Sequence, residues 1–140
     1  MELDLTSFHK AIQSLEEVLR TYETVSNSDF STPELSRGLK AGIVQNFEFT
    51  YELAWKFIKR WLEINVSPDT NHVFTRREIF RYAAQYQLID DPAKWFKYTE
   101  TRNITSHTYD EEKANRVFDD ARKFKDDAIH LYNALEERNR

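Results

Sequence analysis

Turn-forming residues are scarce in this chain. Its 140 residues include only two glycines and three prolines. A β-sheet protein reverses direction often and uses these residues in many of its turns, so their scarcity favours long helices. The length predicts one domain over residues 1–140, large enough to enclose a hydrophobic core.

The composition restricts the classes of function. Hydrophobic residues make up 40% and charged residues 31% of the chain, as in soluble globular proteins. The absence of cysteine excludes disulfides, thiol nucleophiles and thiolate metal sites. A net charge of -4 argues against non-specific coating of nucleic acid but leaves room for a locally positive site. Without a basic leader or a long apolar run at the start, we expect a cytoplasmic protein with no membrane span.

The apolar residues of the first half recur at steps of three and four, which predicts two helices. The first covers about residues 3–25. The second begins at Thr32-Pro33, a capping hydroxyl before a proline at the first helical position, and ends near Asn65. This second helix is apolar on more than one face, so it must be central or must meet a second subunit. The residues that add apolar surface outside its main buried face are Phe49, Leu53, Trp55 and Phe57.

Three more helices are predicted in the second half. Thr75 and Glu78 form a capping box, and the helix that they open ends near Leu88. Asp91-Pro92 begins a fourth helix. A last helix starts near Asp110 and runs to the end of the chain. A second capping box, of Thr108 and Glu111, places a helix break around residues 106–109. The predicted fold is therefore an all-α, up-and-down antiparallel bundle of about five helices.

Reactive side chains are densest in the stretch RNITSHTYDEE, residues 102–112. His107 can move a proton at neutral pH, and Arg102 can hold a phosphate, which together suit RNA cleavage without a metal. Asn103 or Ser106 could orient either group. The alternative is structural: Arg102 pairs with Glu100, Asp110 or Glu111 at a helix end, while His107 and Tyr109 pack there. On chemistry alone the Arg-x4-His spacing is a weak signal and favours this structural interpretation.

Other charged groups have ordinary explanations. Glu48, Glu52, Lys56 and Arg60 step by four and are interpreted as a surface ion-pair ladder. Two sets of cations form basic patches that could bind phosphate, but solvated helix faces are the commoner use; the sets are Arg76, Arg77, Arg81 and Lys56, Lys59, Arg60. No histidine has metal-ligand spacing, so no metal site is expected. No glycine-rich loop is present, so the chain is not expected to be a nucleotidyltransferase itself.

Two segments, IVQNFEFTYELAWKFIKRWLE (43–63) and RNITSHTYDEEKA (102–114), resemble the signatures of one family. That family is the nucleotidyltransferase substrate-binding proteins of the HEPN (higher eukaryote and prokaryote nucleotide-binding) superfamily. The similarity covers nearly the whole chain, including the run from 75 to 103 between the two signatures. It implies a dimeric HEPN-like bundle and a partner, a minimal nucleotidyltransferase encoded nearby.

The resemblance also implies roles for residues. The superfamily's Arg-x4-6-His motif falls on Arg102 and His107, with Asn103 as its polar residue. In toxin–antitoxin members the motif extends to a tyrosine, here Tyr109, to which the partner adds AMP. The implied function is a metal-independent endoribonuclease toxin without a cofactor, in which Ser106 and Asp110 support the site. The open alternatives are a non-catalytic subunit that presents a nucleotide-containing ligand to the partner, and a purely structural dimeric scaffold.

Overall fold

Five α-helices make up most of the part of the chain that the computed structural model describes, residues 2–66, 74–105 and 111–139. No β-strand occurs within these ranges, and the all-α prediction is confirmed. The helices are α1 (Thr6–Ser26), α2 (Pro33–Asn65), α3 (Arg76–Gln85), α4 (Pro92–Ile104) and α5 (Glu111–Arg138).

The predicted helix starts are confirmed at three helices. The Thr32 side chain accepts a hydrogen bond from the Leu35 amide, with proline at the first helical position. Thr75 and Glu78 form the full reciprocal capping box. The Asp91 carboxylate accepts from the Ala93 amide. The predicted capping box at Thr108 and the break at residues 106–109 lie outside the described residues.

The end of α3 differs from the prediction. The helix ends at Gln85 and not near Leu88. Gln87 adopts a positive φ of 63°. Its amide bonds to the Ala84 carbonyl at 3.1 Å, and the Leu88 amide bonds to the Ala83 carbonyl at 2.8 Å. This Schellman arrangement closes the helix and buries Leu88 against it. The periodic apolar position at Leu88 therefore belongs to the cap.

The bundle runs up and down, with α3 as a short helix between α2 and α4. Contacts of Ser14 with Asn46 and of Thr50 with the Ala11 carbonyl show that α1 and α2 are antiparallel. Helix α2 contacts each of the other four helices, so the prediction that it is central is confirmed. An aromatic cluster fills the middle. The Phe124 ring centroid lies 5.2 Å from that of Phe47 on α2 and 5.1 Å from that of Tyr98 on α4.

Across the described ranges, no helix is long and apolar enough to cross a bilayer.

Candidate functional site

Helix α4 is fastened to α5 along one face, and this fixes the direction in which Arg102 points. The buried Thr101 hydroxyl donates to the buried Asp120 carboxylate of α5, and the Tyr98 hydroxyl donates to Asp127. Lys97 adds an ion pair to Asp120 at 3.6 Å. Successive helical residues are rotated by about 100°. Arg102, one residue after the anchor, therefore leaves the α5 face and reaches α2.

Two carboxylates of α2 form ion pairs with the Arg102 guanidinium. Its Nη1 lies 3.3 Å from Glu48 Oε2, and its Nε lies 3.4 Å from Glu52 Oε1. Nη1 also donates to the Thr105 hydroxyl at 3.0 Å, and that hydroxyl donates to the Arg102 carbonyl. The Nε–H is buried and has the ion pair with Glu52 but no well-directed hydrogen bond. The side chain as a whole is 33% exposed.

The third nitrogen of the Arg102 guanidinium, Nη2, differs from the other two in its partners. Among the described residues, no hydrogen bond or ion pair involves Nη2. A guanidinium presents its donors in a rigid plane, so fixing Nε and Nη1 also fixes the direction of the Nη2 hydrogens. Within the described part of the chain, the arrangement therefore holds a cation in place and leaves Nη2 available to a further oxygen ligand.

Trp55 links this cluster to a second arginine. The Trp55 indole Nε1 donates to Glu52 Oε2 at 3.0 Å, which orients the same carboxylate that pairs with Arg102. The Arg76 guanidinium of α3 stacks on the Trp55 ring, with Cζ 3.8 Å from the ring centroid. Arg76 takes part in no ion pair in the described ranges. The site therefore combines Arg102, which is paired with carboxylates, with a second arginine that has no carboxylate partner there.

The edge of Arg76 is anchored by a chain of hydroxyl groups. Nη1 donates to the Tyr51 hydroxyl oxygen at 2.9 Å. The Thr99 hydroxyl, 2.5 Å from that oxygen, donates to the Trp95 carbonyl. Tyr51 must then be the donor to Thr99, because the single hydroxyl proton of Thr99 is already used. Burial raises the pKa of Tyr51, so the proton that this chain requires stays in place.

The predicted motif residues are described only in part. Arg102 lies on α4 within the polar cluster. Asn103 is exposed on the same helix. Ser106, His107, Tyr109 and Asp110 lie outside the described residues.

Two predictions about charges are wrong. Glu48 and Glu52 do not form a ladder with Lys56 and Arg60, because both carboxylates turn towards Arg102. Lys56 lies instead over the Trp55 ring, 5.8 Å from its centroid. The predicted pairing of Arg102 with Glu100 is also wrong, since Glu100 pairs with Arg116 of α5 at 3.6 Å. The other two predicted partners, Asp110 and the Glu111 side chain, lie outside the described residues.

Three members of the cluster were not predicted as site residues: Glu48, Glu52 and Trp55. A signal was present: two carboxylates four residues apart share one helix face, and an indole follows three residues later. The same spacing is commonest in exposed helices. Arg102 reaches these carboxylates because α4 packs against that face of α2. This packing cannot be predicted from the sequence of α2 alone.

Within the ranges that the structure covers, no group of three or more acidic or histidine side chains could hold a metal ion.

Known proteins are similar to this chain over almost its full length. A family model described as "Nucleotidyltransferase substrate binding protein like" matches residues 3–137. A protein of Haemophilus influenzae named "Probable ribonuclease HepT" is 35% identical over 139 residues, covering 99% of this chain and 95% of that protein.

Solved structures share the fold. The structure of HI0074 from Haemophilus influenzae, described as revealing "the fold of a substrate binding domain of a nucleotidyltransferase", matches with a TM-score of 0.87 and 34% identity. That match covers 95% of this chain and 99% of the other. A protein from Thermus thermophilus matches with a TM-score of 0.57 and 22% identity, covering 90% of this chain and 98% of the other. At that identity the likeness concerns the fold alone.

Proposed function

Since this chain belongs to the nucleotidyltransferase substrate binding protein like family, we propose that it is the helical subunit of a two-component system and works as a metal-independent endoribonuclease in the cytoplasm. Its partner is a minimal nucleotidyltransferase encoded nearby. The observation that carries the proposal is the state of Arg102: its Nε and Nη1 face two carboxylates, and Nη2 has no hydrogen-bond or ion-pair partner among the described residues. The name of the Haemophilus influenzae relative, a probable ribonuclease, supports the same chemistry.

The reaction is a transfer within the RNA strand. The ribose 2′ oxygen loses its proton and bonds to the neighbouring phosphorus, and the bond from phosphorus to the 5′ oxygen breaks. The products are a 2′,3′-cyclic phosphate and a 5′-hydroxyl end. His107 moves one of the two protons as general base or general acid, and water moves the other. Arg102 Nη2 stabilises the charge that builds on the phosphoryl oxygens. Asn103, Ser106 and Asp110 support the site.

Control by the partner is part of the proposal. The nucleotidyltransferase transfers AMP from ATP to the Tyr109 hydroxyl and releases pyrophosphate. Tyr109 follows His107 by two residues in the sequence, so the added phosphate carries a negative charge to the region of Arg102 and His107. That anion competes with RNA phosphate, and the modified protein is inactive.

The test is cleavage of total cellular RNA by the purified, unmodified chain without added metal, beside a folded His107→Ala variant. We expect discrete fragments with 2′,3′-cyclic phosphate ends from the parent and intact RNA from the variant. Equal fragments in both lanes would show contamination and reject the proposal. Incubation with the partner and ATP should add the mass of AMP to a peptide containing Tyr109 and abolish the fragments.

A second candidate function is supported by the solved relative that is described as a substrate binding domain of a nucleotidyltransferase. In that case the subunit presents a nucleotide-containing ligand to its partner and cuts nothing. Intact RNA in both lanes, with Tyr109 unmodified by mass, favours this candidate. The His107→Ala variant should then weaken binding of the ligand or the partner.

A further inference from the structure

A groove runs beside the C-terminal half of α2 and is lined mainly by basic and aromatic side chains. Its volume is about 510 Å³, and Ser7 of α1 contributes to its edge. Trp55 and Phe57 form the aromatic part of the groove wall. The charged residues that line it are Lys56, Lys59, Arg60 and Glu63. Three cations against one carboxylate make this a positive groove on a protein whose net charge is -4.

The cations of the groove differ from other cations of the protein in their ion pairs. Over the described ranges, none of Lys56, Lys59 and Arg60 has an ion-pair partner, whereas Lys94, Lys97 and Arg122 all pair with carboxylates. Lys59 and Arg60 follow Lys56 by three and four residues, which places both next to Lys56 on the same side of α2. Unpaired cations in a row on a helix face attract a polyanion that follows the helix.

The groove adjoins the Arg102 cluster through one side chain. The Trp55 ring is part of the groove wall, while its indole nitrogen donates to Glu52, the ion-pair partner of Arg102. Lys56 and Arg76 both lie over the Trp55 ring, at 5.8 and 3.8 Å from its centroid. The Trp55 side chain therefore contacts both the groove and the ion-pair partner of Arg102.

We propose that this groove binds the sugar-phosphate backbone of single-stranded RNA and leads the strand to Arg102. The inference rests on the proposed ribonuclease function and names the path of its substrate. Proteins that bind single strands without reading their sequence combine a positive groove with aromatic side chains, which is the combination found here. The groove supplies affinity, and the Arg102 cluster supplies the chemistry.

The experiment measures binding of a short fluorescent single-stranded RNA whose riboses carry 2′-O-methyl groups, so that it cannot be cut through the 2′ oxygen. Anisotropy gives the Kd over a series of salt concentrations. The variant combines Lys56→Gln, Lys59→Gln and Arg60→Gln. Each phosphate contact contributes about 0.7 to the slope of log K against log salt for single strands, so the slope should become shallower by roughly 2. At about 0.1 M salt the Kd should rise at least tenfold.

A matched control removes three positive charges far from the groove. It combines Arg20→Gln, Arg37→Gln and Lys123→Gln, all at exposed positions of α1, α2 and α5. We expect its slope to equal that of the parent and its Kd to change less than threefold. Circular dichroism should show the same helix content in all three proteins.

The outcomes separate this inference from the proposed function. A parent that binds and cuts RNA, with equal slopes in the groove variant and the control, overturns the groove path alone. So does a groove variant that keeps its RNA slope but loses binding to the nucleotidyltransferase, since the groove then serves the partner. A parent that neither binds nor cuts RNA overturns the proposed ribonuclease, and the groove path with it.

Discussion

Among the described residues, two carboxylates form ion pairs with Arg102, and both compete with any phosphate that approaches it. Glu48 and Glu52 are about as exposed as the arginine, at 34% and 33%. Partly exposed ion pairs of this kind contribute about 1 kcal/mol or less to stability. Their main effect is geometric, because they fix the orientation of the guanidinium plane at Nε and Nη1.

Glu52→Gln should change RNA affinity and the rate of RNA cleavage in opposite directions. The substitution removes one negative charge next to the phosphate position, so affinity for the uncleavable RNA should rise about threefold. Arg102 is then held less firmly, and kcat for RNA cleavage should fall about tenfold. Both constants come from the same preparation, by anisotropy and by single-turnover cleavage.

Glu17→Gln is the control for charge, since it makes the same change at an exposed position of α1. It should leave both constants within twofold of the parent. A Glu52→Gln variant with unchanged affinity and unchanged kcat would contradict the orienting role of this carboxylate.

Tyr98 makes the stability of the bundle sensitive to alkaline pH. Burial, and then the hydrogen bond to Asp127 and its charge, raise the pKa of Tyr98 above its usual value. In the unfolded chain the tyrosine ionises near pH 10, while the folded protein keeps the proton. The stabilisation of the folded state by protonated Tyr98 is therefore fully present below about pH 10. As the pH rises further, the free energy of unfolding decreases, by about 1 kcal/mol between pH 10 and 11.

Urea unfolding at a series of pH values tests this effect. Tyr98→Phe should lower the free energy of unfolding at pH 8 by about 1 kcal/mol, because the hydrogen bond to Asp127 is lost. It should also flatten the decrease above pH 10. Tyr86→Phe, at an exposed tyrosine, should keep the parent's pH dependence. An equally steep decrease in Tyr98→Phe and the parent would contradict the assignment.

At the residue scale, the family resemblance singled out Arg102 through the spacing of a motif, and its role in a site stays a prediction. Its surroundings could not be predicted in the same way. Glu48, Glu52 and Trp55 are brought to it only by the packing of α4 on α2, and the local pattern of α2 suits an exposed ladder equally well. Arg76 was assigned to a solvated face because nothing in its own helix indicates the indole on which it stacks.

At the scale of the helices, the starts were predictable and one end was not. Helix starts are encoded by side chains that satisfy free amides, and Thr32, Thr75 and Asp91 all do so. The end of α3 is encoded by a backbone conformation. Glycine usually marks such an end, but here the left-handed residue is Gln87, so the sequence carried no signal.

Gln87→Gly should stabilise the protein. A side chain in the left-handed region costs about 1 kcal/mol that glycine avoids. We expect a gain of up to about 1 kcal/mol in the free energy of unfolding and a rise in Tm of roughly 3 °C. Thermal unfolding followed by circular dichroism measures it.

Arg81→Gly, at an exposed position inside α3, is the matched control and should cost about 1 kcal/mol. Loss of stability in both variants would mean that the cap of α3 does not depend on the conformation of Gln87.

At the scale of the whole molecule, α2 is central and yet retains an exposed aromatic ring. Phe49 is 60% exposed and lies three residues before Glu52 on the helix. We propose that this ring lies in the interface of a homodimer, which brings two copies of the site together. Phe49→Asp should then shift the protein from dimer to monomer at micromolar concentration, because an ionised carboxylate is costly to bury.

Light scattering after size exclusion gives the mass of each form. Phe30→Asp, at a ring that is 81% exposed between α1 and α2, is the control and should leave the dimer intact. A parent that is already monomeric at micromolar concentration would contradict the dimer.

The position of Trp55 allows ligand binding to be followed by intrinsic tryptophan fluorescence. Of its three tryptophans, Trp61 and Trp95 are buried, and Trp55 is the half-buried one that touches both Glu52 and Arg76. The emission of an indole depends on the charges and water around it. Any ligand that displaces Arg76 or fills the neighbouring groove must change the fluorescence of Trp55, while the other two indoles report that the core is intact. Binding can thus be followed without a label, and a Trp55→Phe variant identifies the part of the signal that comes from the site.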